Sequence, residues 1–195
     1  FVNITLTPDY LVSVAGRLAR EGMAGMLGEG GRKGRAIVEF VSSNPTGPLT
    51  VGHCRQAVLG DAISRLLEAV GWTVHREYYF NDAGRQMDRL AESLAARYDQ
   101  VSGGATPVPE DGYHGDYITG WARDLSARKG GLTWPADRDV FRREAVDRAF
   151  RLIRDDLELL GIRFDRYFAE SELIPDAVEE ALKALEARGL AWSDP

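Results

Sequence analysis

The amino-acid sequence predicts an α/β fold, a doubly wound parallel sheet covered by helices, from three observations. First, three segments share one order: an amphipathic helix, a glycine, and then a short apolar strand. A glycine just past a helix end adopts the left-handed conformation that terminates the helix, and repeated helix–strand alternation is typical of parallel sheets. Second, the apolar run at residues 35–41 precedes these segments and supplies a first strand. Third, 44% apolar and 28% charged residues are ordinary proportions for a folded domain.

Composition also excludes several classes of protein. The 195 residues have a formal net charge of −6, which argues against a protein that coats nucleic acid by bulk charge but leaves room for a local basic patch. No run of about 18 apolar residues is present, so the sequence predicts no membrane span. The single cysteine, Cys54, can form neither an internal disulfide nor a cysteine-based zinc site. We therefore expect a cytoplasmic protein.

The N-terminal region comes first along the chain. Phe1–Leu6 alternates like a strand, and Thr7 followed by Pro8 is typical of a capped helix start. That helix gives way to a glycine-rich stretch at residues 28–34. Its spacing departs from the GxxxxGK[ST] form, so we interpret it as a flexible connector, with a phosphate-binding loop as the alternative. The sequence lacks an initiator methionine and stops just after a predicted strand, and we expect a piece of a longer protein.

The three helix–glycine–strand segments follow. Their helices are predicted at residues 53–70, 144–160 and 176–188, and their strands at 72–74, 162–164 and 190–192. The first helix carries an apolar stripe that we expect to be its buried face: Leu59, Ile63, Leu66, Leu67 and Val70. Between the first two segments lies a long stretch with a loop at 102–109 and a possible helix at 117–128, which indicates an insertion.

The connection between the first strand and the first long helix carries the chemistry. In an open α/β sheet ligands bind beyond the carboxyl ends of the strands, and a helix N-terminus offers N–H groups and a positive dipole to a phosphate. Gly52 would let a base or a ribose approach the backbone. His53 could donate to a phosphate oxygen, the alternative being a histidine that only caps the helix. Small polar residues line the connection: Ser42, Ser43, Asn44, Thr46 and Thr50.

Glu39 interrupts the apolar run of the first strand, which we expect to be buried on both faces. A buried carboxylate is costly unless a cation or several donors pair with it. A bound cationic substrate would supply such a partner. The alternative is a position at the mouth of the strand, where water solvates the carboxylate.

Other polar residues give weaker signals. Asn81 and Asp82 follow the next strand, where capping of the next helix is the more frequent role and ligand contact the alternative. His75 and His114 are dispersed, and together with one cysteine they do not make a metal site. No nucleophile signature such as GxSxG is present.

Residues 43–53, SNPTGPLTVGH, resemble the class I aminoacyl-tRNA synthetase signature, and within that class the segment SANPTGPLHVGH of bacterial arginyl-tRNA synthetases. Further segments match in the family's order: EYYFNDAGRQ at 77–86, DGYHGDY at 111–117, and LGIRFD at 160–165 followed by Ser171 and Glu172. The resemblance covers essentially the whole chain.

This resemblance implies a Rossmann-like domain of the HIGH-motif nucleotidyl transferase type, truncated here. It implies a ligase that uses ATP, with Mg²⁺, to form arginyl-adenylate and then transfers arginine to tRNA(Arg). The implied arginine contacts are Glu39, which would face the guanidinium, with Ser42, Ser43, Asn44 and His53. The implied ATP contacts are Pro45, Thr46, Gly47, Thr50, Gly52 and His53, the last three also catalytic. We expect no protein-bound metal, no membrane partner and a monomer.

The resemblance also suggests a division of the chain. Residues 1–34 would be the end of an N-terminal domain with a linking helix and connector, and residues 35–100 the first half of the catalytic domain. Residues 101–143 would be an insertion, and 144–195 a continuation of the catalytic domain or of its insertion. The family's lysine-containing KMSKS-like loop would lie beyond this sequence, so we expect the isolated chain to be inactive.

Two alternatives stay open. Thr50 stands where the family has the first histidine of its motif, and it fits small (H/T)xGH nucleotidyltransferases slightly better. That class has no reason to carry the segments at 77–86 and 161–165. The second alternative is a truncated paralogue that binds a ligand without chemistry.

Overall fold

The computed structural model describes residues 3–27 and 34–192. Among them the parallel sheet has three strands, in the order β1-β2-β3. Helices connect and flank these strands, which confirms the predicted α/β class. Along the chain the elements are α1 (Pro8–Leu27), β1 (Arg35–Glu39), α2 (Val51–Ala69), β2 (Thr73–Phe80), α3 (Arg85–Val101), α4 (Asp116–Arg128), α5 (Arg138–Leu159), β3 (Arg166–Ala169), a short 3-10 helix (Glu170–Leu173) and α6 (Asp176–Ala187).

The register of the sheet brings the ends of the first two strands together. Glu39, the last residue of β1, lies opposite Glu77 of β2, and Phe80 at the end of β2 lies opposite Ala169 of β3. Because all three strands run in the same direction, the loops that follow them meet at one edge of the sheet. The candidate site is built at this edge.

Two hydrophobic clusters form the core, and α5 contributes to both. One lies between α3, α4 and α5, where Leu94, Ile118 and Phe141 are buried. The other joins the sheet to the C-terminal half of α5, where Tyr78 of β2 packs edge-on against Phe164 with ring centroids 5.3 Å apart. The sheet and the pair of helices α3 and α4 therefore share one continuous helix, α5, as their support.

Helix α2 packs differently from the prediction. The expected apolar stripe is largely exposed, with Leu66 retaining 67% of its accessible surface. The buried residues of the helix are instead Ala57, Gly60 and Ser64. A Cβ at Gly60 would lie 2.1 Å from the ring of Phe40, so the small residues allow helix and strand to approach closely. Close backbone approach, rather than side-chain hydrophobicity, selects the contact face.

The strand predicted at residues 162–164 is wrong, because pairing with β2 starts later, at Arg166. Asp165 fixes that start: its N–H donates to the carbonyl of Arg76 at 2.9 Å, and its carboxylate accepts from the Arg76 N–H at 2.7 Å. Residues 162–164 form an irregular segment after the turn at Leu160 and Gly161, and Ile162 is buried in the core.

Some of the remaining predicted helices and strands are present in the structure and others are not. Residues 3–6 and 190–192 form no strand, while Phe1–Val2 and the glycine-rich residues 28–33 lie outside the described residues. Helix α1 begins at Pro8 as predicted, and the Tyr10 N–H donates to Oγ1 of Thr7 at 3.3 Å. Helix α4 confirms the helix predicted at 117–128, whereas α5 begins six residues before the predicted position 144. The division of the chain into four segments stays a prediction.

Candidate active site

The chain leaves β1 through an unusual turn. Val41 has φ 66° and Ser42 has φ 43°. The Ser42 N–H donates to the carbonyl of Phe40 at 2.9 Å. A hydrogen bond between residues i and i+2 around a positive φ is the pattern of the uncommon and strained γ-turn, and a β-branched residue makes it less favourable still. The turn reverses the backbone immediately beyond Glu39.

Glu39 is exposed at the end of β1, so the expected burial on both faces is wrong and the alternative, a carboxylate at the mouth of the strand, is correct. Its Oε1 accepts a hydrogen bond from Oγ of Ser42 at 2.7 Å. The same Ser42 oxygen accepts from the N–H of Tyr79 at 3.2 Å. Glu39 and Ser42 also line a cleft of about 350 Å³ between the end of β1 and α2. The carboxylate is therefore oriented by the protein and open to a ligand.

Ser43 is held through its main chain. The hydroxyl of Tyr78 accepts from the Ser43 N–H at 3.1 Å and donates to the Ser43 carbonyl at 2.8 Å. Burial raises the pKa of Tyr78, and the hydrogen bonds to Ser43 offset only part of that increase, so the phenol stays neutral. One buried hydroxyl thus fixes both main-chain polar groups of Ser43, which belong to two successive peptide units of the connecting loop.

Asn44 links three elements. Its Nδ2 donates to Oε1 of Gln86 at 2.7 Å, and its Oδ1 accepts from the N–H of Asn81 at 3.1 Å. Gln86 belongs to the first turn of α3, and Asn81 directly follows β2. The amide therefore joins the loop after β1 to the end of the neighbouring strand and to the next helix.

The middle of the connecting loop packs against α4. The hydroxyl of Tyr117 donates to the carbonyl of Thr46 at 2.8 Å. A Cβ at Gly47 would lie 2.7 Å from the same hydroxyl, so glycine is required for this contact. Pro45 is fully buried beside it. Pro45, Thr46 and Gly47 set the path of the loop toward α2.

Thr50 and His53 form a reciprocal cap at the start of α2. The His53 N–H donates to Oγ1 of Thr50 at 3.5 Å, and the Thr50 N–H donates to Nδ1 of His53 at 3.1 Å. Because Nδ1 accepts, a neutral His53 ring carries its proton on Nε2. The capping interpretation of His53 is therefore correct for one ring nitrogen, and the other nitrogen keeps an N–H donor.

Gly52 lies in the same first turn of α2 and is exposed. A Cβ there would meet nothing closer than Oγ1 of Thr50 at 3.6 Å, so packing within the protein does not require glycine. A glycine without a packing reason at a helix N-terminus leaves the backbone accessible to a ligand.

The prediction that Asn81 or Asp82 caps α3 is wrong. Gly84 occupies the N-cap position, without any side-chain hydrogen bond. Asn81 Oδ1 accepts from the Ala83 N–H at 2.9 Å, which closes a local turn. The Asp82 carboxylate accepts from the N–H and Oγ of Ser171 at 3.0 and 2.6 Å, so it ties the end of β2 to the 3-10 helix after β3.

Negative charge accumulates at this edge of the sheet. The pKa of Tyr79 is raised, first by desolvation, then by its hydrogen bond to Glu170, and further by the charges of Glu170, Glu39 and Asp82. Three carboxylates therefore act on the Tyr79 hydroxyl, while Nη2 of Arg142 donates to the Asp82 carbonyl at 3.2 Å. An excess of negative charge at this edge would attract a cationic ligand.

The other candidates lie apart from this edge. Nε2 of His75 is 3.8 Å from Glu77 on the same strand, and Nε2 of His114 is 3.3 Å from the carbonyl of Glu110. Across residues 3–27 and 34–192 no group of three or more His, Cys, Asp or Glu side chains could hold a metal ion. None of the described helices is long and apolar enough to cross a membrane.

Comparison with known proteins decides the family. The profile described as tRNA synthetases class I (R), catalytic domain, matches residues 19–111. An arginine–tRNA ligase of Bordetella pertussis is 44% identical over 207 residues, which cover 100% of this chain and 36% of that protein. An arginine–tRNA ligase of Desulfotalea psychrophila is 42% identical over 194 residues, which cover 98% of this chain and 35% of that protein. The chain matches the N-terminal catalytic region of arginyl-tRNA synthetases.

Solved structures of arginyl-tRNA synthetases have the same architecture. The Thermus thermophilus arginyl-tRNA synthetase superposes with a TM-score of 0.58 at 27% identity, covering 89% of this chain and 30% of that one. A Campylobacter jejuni structure assigned to the same enzyme superposes with a TM-score of 0.83 at 29% identity. The superposition covers 97% of this chain and 42% of the Campylobacter chain. The sheet is therefore that of a class I synthetase Rossmann-like domain. The chain spans about a third of the length of the curated relatives it matches.

Several residues of the site were not assigned from the sequence. Tyr78 and Gln86 lie within the matched segment EYYFNDAGRQ at 77–86, and Tyr117 ends the matched segment DGYHGDY at 111–117. Those motifs could have marked them as candidates. Their partners are Ser43, Asn44 and the Thr46 carbonyl, and the sequence could not pair them because 35 or more residues separate the members of each pair.

Proposed function

We propose that this chain supplies the arginine- and ATP-binding half of an arginine–tRNA ligase active site. In the complete reaction ATP activates L-arginine to arginyl-adenylate, and arginine is then transferred to tRNA(Arg). One observation carries the proposal: an oriented, exposed carboxylate lies at the same edge of the sheet as the N-terminus of a long helix. That edge offers opposite electrostatic environments to a cationic amino acid and an anionic nucleotide.

Glu39 is proposed to bind the guanidinium group. Ser42 occupies one of its oxygens, and the other oxygen, with the remaining lone pairs, can accept charge-assisted hydrogen bonds from arginine. The neighbouring charges of Glu170 and Asp82 add to the attraction. Asn44 keeps one N–H of its amide for the amino acid after donating the other to Gln86. The main chain of Ser43, which is held by Tyr78, fixes the loop between Glu39 and Asn44.

The first turn of α2 is proposed to bind ATP. Its unpaired N–H groups and positive dipole end suit a phosphate, Gly52 leaves the backbone accessible, and Nε2–H of His53 can donate to a phosphate oxygen. Thr50 has no charge to contribute, and its role is to orient His53 through the reciprocal cap. Pro45, Thr46 and Gly47 hold the loop that approaches this turn.

The activation step is an in-line displacement. The carboxylate oxygen of arginine attacks the α-phosphorus of ATP, the bond from that phosphorus to the bridging oxygen breaks, and pyrophosphate leaves. No covalent enzyme intermediate is needed, so catalysis rests on positioning and on donors that meet the growing charge, such as His53 Nε2–H. Mg²⁺ enters with the ATP phosphates.

The finer properties of the protein are proposals as well. We infer a cytoplasmic monomer with tRNA(Arg) as its macromolecular partner. The single cysteine supports a reducing compartment. Size-exclusion chromatography with light scattering would test the monomer, and a dimer at micromolar concentration would contradict it.

A binding experiment tests the proposed function. The chain is titrated with L-arginine, with the uncharged analogue L-citrulline, and with Mg-ATP, and binding is followed by calorimetry and by ¹H–¹⁵N chemical shifts. We expect arginine to bind more tightly than citrulline, and Glu39→Gln to remove that preference while Glu110→Gln, an exposed loop control, keeps it. ATP should shift the amides of residues 51–54. Absence of arginine preference in the wild-type chain would contradict the arginine site.

The same samples separate the alternatives. A small (H/T)xGH nucleotidyltransferase would bind a phosphorylated cofactor precursor, such as a phosphopantetheine or a nicotinamide mononucleotide, in preference to arginine. Binding of such a precursor with no response to arginine would replace the proposed function.

A further inference from the structure

The loop between β2 and α3 brings two hydrogen-bond partners to the side chain of Asn44. Asn81, at the start of this loop, donates its N–H to Oδ1 of Asn44, and Gln86, in the first turn of α3, accepts from Nδ2. No capping side chain fixes the end of the loop, because Gly84 occupies the N-cap position of α3 without a side-chain hydrogen bond. The orientation of the Asn44 amide therefore depends on what else holds this loop.

Arg142 of α5 contacts the loop and the first turn of α3 at the same time. Its Nη2 donates to the carbonyl of Asp82 at 3.2 Å, and its Nη1 lies 3.5 Å from Oδ1 of Asp88. That Oδ1 atom is buried and has no hydrogen-bond partner in the part of the chain that the structure describes, so the charge of Arg142 compensates it. Because the guanidinium is planar and rigid, its two terminal nitrogens set the distance between the loop and the helix.

We propose that Arg142 is a positioning residue, which fixes the loop after β2 and, through Asn81 and Gln86, orients the Asn44 amide toward the amino acid. A binding group keeps a productive geometry only when the residues behind it are held in place. Arg142 lies outside all the segments whose sequence resembles the family's motifs, and the packing of α5 against α3 brings it here. The inference rests on the proposed function, in which Asn44 contacts the amino acid.

Two measurements on the full 195-residue chain test this role. The first needs no ligand: the side-chain ¹H–¹⁵N resonances of Asn44 and the backbone amide of Asn81 are recorded for wild type, Arg142→Gln and the control Arg143→Gln. Arg143 is the exposed neighbour on the same helix. We expect Arg142→Gln to shift the resonances of both asparagines, and the control to shift neither. Unchanged Asn44 resonances in Arg142→Gln would overturn the proposal.

The milder variant Arg142→Lys keeps the test decisive if Arg142→Gln does not fold. Lysine retains a positive charge near Asp88 but lacks the planar fork, so it cannot hold Asp82 and Asp88 together in the geometry that arginine imposes. We expect the Asn44 resonances to move in the same direction as in Arg142→Gln, and by less. Asn44 resonances at their wild-type positions in folded Arg142→Lys would overturn the proposal in that case.

The second measurement is a double-mutant cycle on binding. The dissociation constants of L-arginine and L-citrulline are compared for wild type, Arg142→Gln, Asn44→Ala and the double variant. We expect Arg142→Gln to weaken the binding of both amino acids equally, by about tenfold, because Asn44 rather than Glu39 is displaced. The preference for arginine and the affinity for ATP should stay at their wild-type values. Arg142→Gln should have no further effect once Asn44 is replaced.

The outcomes distinguish this inference from the proposed function. If Arg142→Gln acts fully in the Asn44→Ala background, or weakens ATP as much as arginine, Arg142 supports the fold in general and the inference is wrong while the proposed function stands. Loss of the arginine preference in Arg142→Gln would place its effect at Glu39 and would also contradict the inference. If wild type does not prefer arginine over citrulline, the proposed function fails, and the ligand-free resonances still decide whether Arg142 orients Asn44.

Discussion

A single hydroxyl, that of Tyr78, determines where the connecting loop after β1 lies. It pairs with both the N–H and the carbonyl of Ser43 from a fully buried position on β2. Buried N–H and C=O groups without partners are costly, so the hydroxyl stabilises one position of the loop relative to all others. The ring itself packs among aromatic residues of the sheet core.

We predict that Tyr78→Phe lowers the free energy of unfolding by ~1–3 kcal/mol, because the Ser43 N–H and carbonyl lose their partner while the ring packing is kept. Arginine binding should weaken in the same variant. Chemical denaturation and calorimetry measure the two effects. Tyr10→Phe, at an exposed position of α1, is the matched control and should change the free energy of unfolding by less than about 0.5 kcal/mol. Equal effects of the two substitutions would show that the hydroxyl of Tyr78 is not needed.

At the scale of elements, burial rather than hydrophobicity decides which leucines stabilise the protein. Leu94 of α3 is completely buried between α4 and α5, whereas Leu66 of α2 is exposed. Sequence periodicity could not separate them, because both lie on regular apolar stripes. The difference arises from where each helix is placed in the tertiary structure.

We predict that Leu94→Ala costs ~2–5 kcal/mol of unfolding free energy, since it removes buried surface and leaves a cavity. Leu66→Ala should cost less than about 0.5 kcal/mol, because its side chain is already in water. Urea denaturation gives the free energy of unfolding of both variants, which carry the same Leu→Ala substitution at a buried and an exposed position. A large loss for Leu66→Ala would mean that the stripe on α2 is covered in solution.

Helices α4 and α5 are joined by a charge cluster around Glu144. Arg148 donates through Nε to Glu144 at 2.5 Å, and Arg128 of α4 also contacts this carboxylate. Arg148 reaches Asp124 of α4 at 2.9 Å as well. Burial by itself would raise the pKa of Glu144, but the hydrogen bonds and charges of Arg148 and Arg128 outweigh it and hold that pKa below its ordinary value.

A pH dependence follows from this direction. A carboxylate whose pKa is lower in the folded state contributes stability that is complete above the unfolded value of 4.5 and is lost as the pH falls through the folded pKa. We therefore expect wild type to lose unfolding free energy steeply below about pH 4.5, and Glu144→Gln to lose less over the same range. Urea denaturation of both proteins at pH 7, 4.5 and 3 measures the free energy of unfolding at each pH. Parallel pH profiles for the two proteins would contradict a contribution from Glu144.

At the scale of the whole molecule, the length of the chain bears on whether it could act alone. It spans about a third of its curated relatives, and its three lysines, Lys33, Lys129 and Lys183, do not form a KMSKS-like loop. In the proposed site, the donors offered to a nucleotide are those of the first turn of α2. Binding and catalysis are therefore separable questions for these 195 residues.

We predict that the purified 195-residue chain does not aminoacylate tRNA(Arg), although it carries the proposed arginine and ATP contacts. Transfer of radiolabelled arginine to acid-precipitable tRNA is the measurement, with a full-length arginine–tRNA ligase as the positive control. Detectable arginylation by the chain alone would show that the missing contacts are dispensable.

The sequence by itself determined the helix–strand order, the parallel sheet and the loop that carries the site. These features depend on local patterns: glycines that end helices, an apolar strand, and a polar connection ahead of a helix N-terminus. It also predicted functional roles for Glu39, Asn44 and His53, because each is chemically unusual at its position, and those roles stay predictions. Strand ends were less accurate, since Asp165 sets the start of β3 through contacts with Arg76, 89 residues away.

Only the tertiary structure decided how these residues work together. Glu39 is exposed because β1 ends there, and Ser42 faces it because Val41 adopts a positive φ that the sequence does not reveal. Tyr78, Gln86 and Ser171 joined the site through hydrogen bonds between distant segments. The exposed stripe of α2 has the same origin: Gly60 meets Phe40 too closely for the larger side chains to face the sheet. Local pattern fixes which elements form, whereas long-range packing and hydrogen bonding fix which side chains meet.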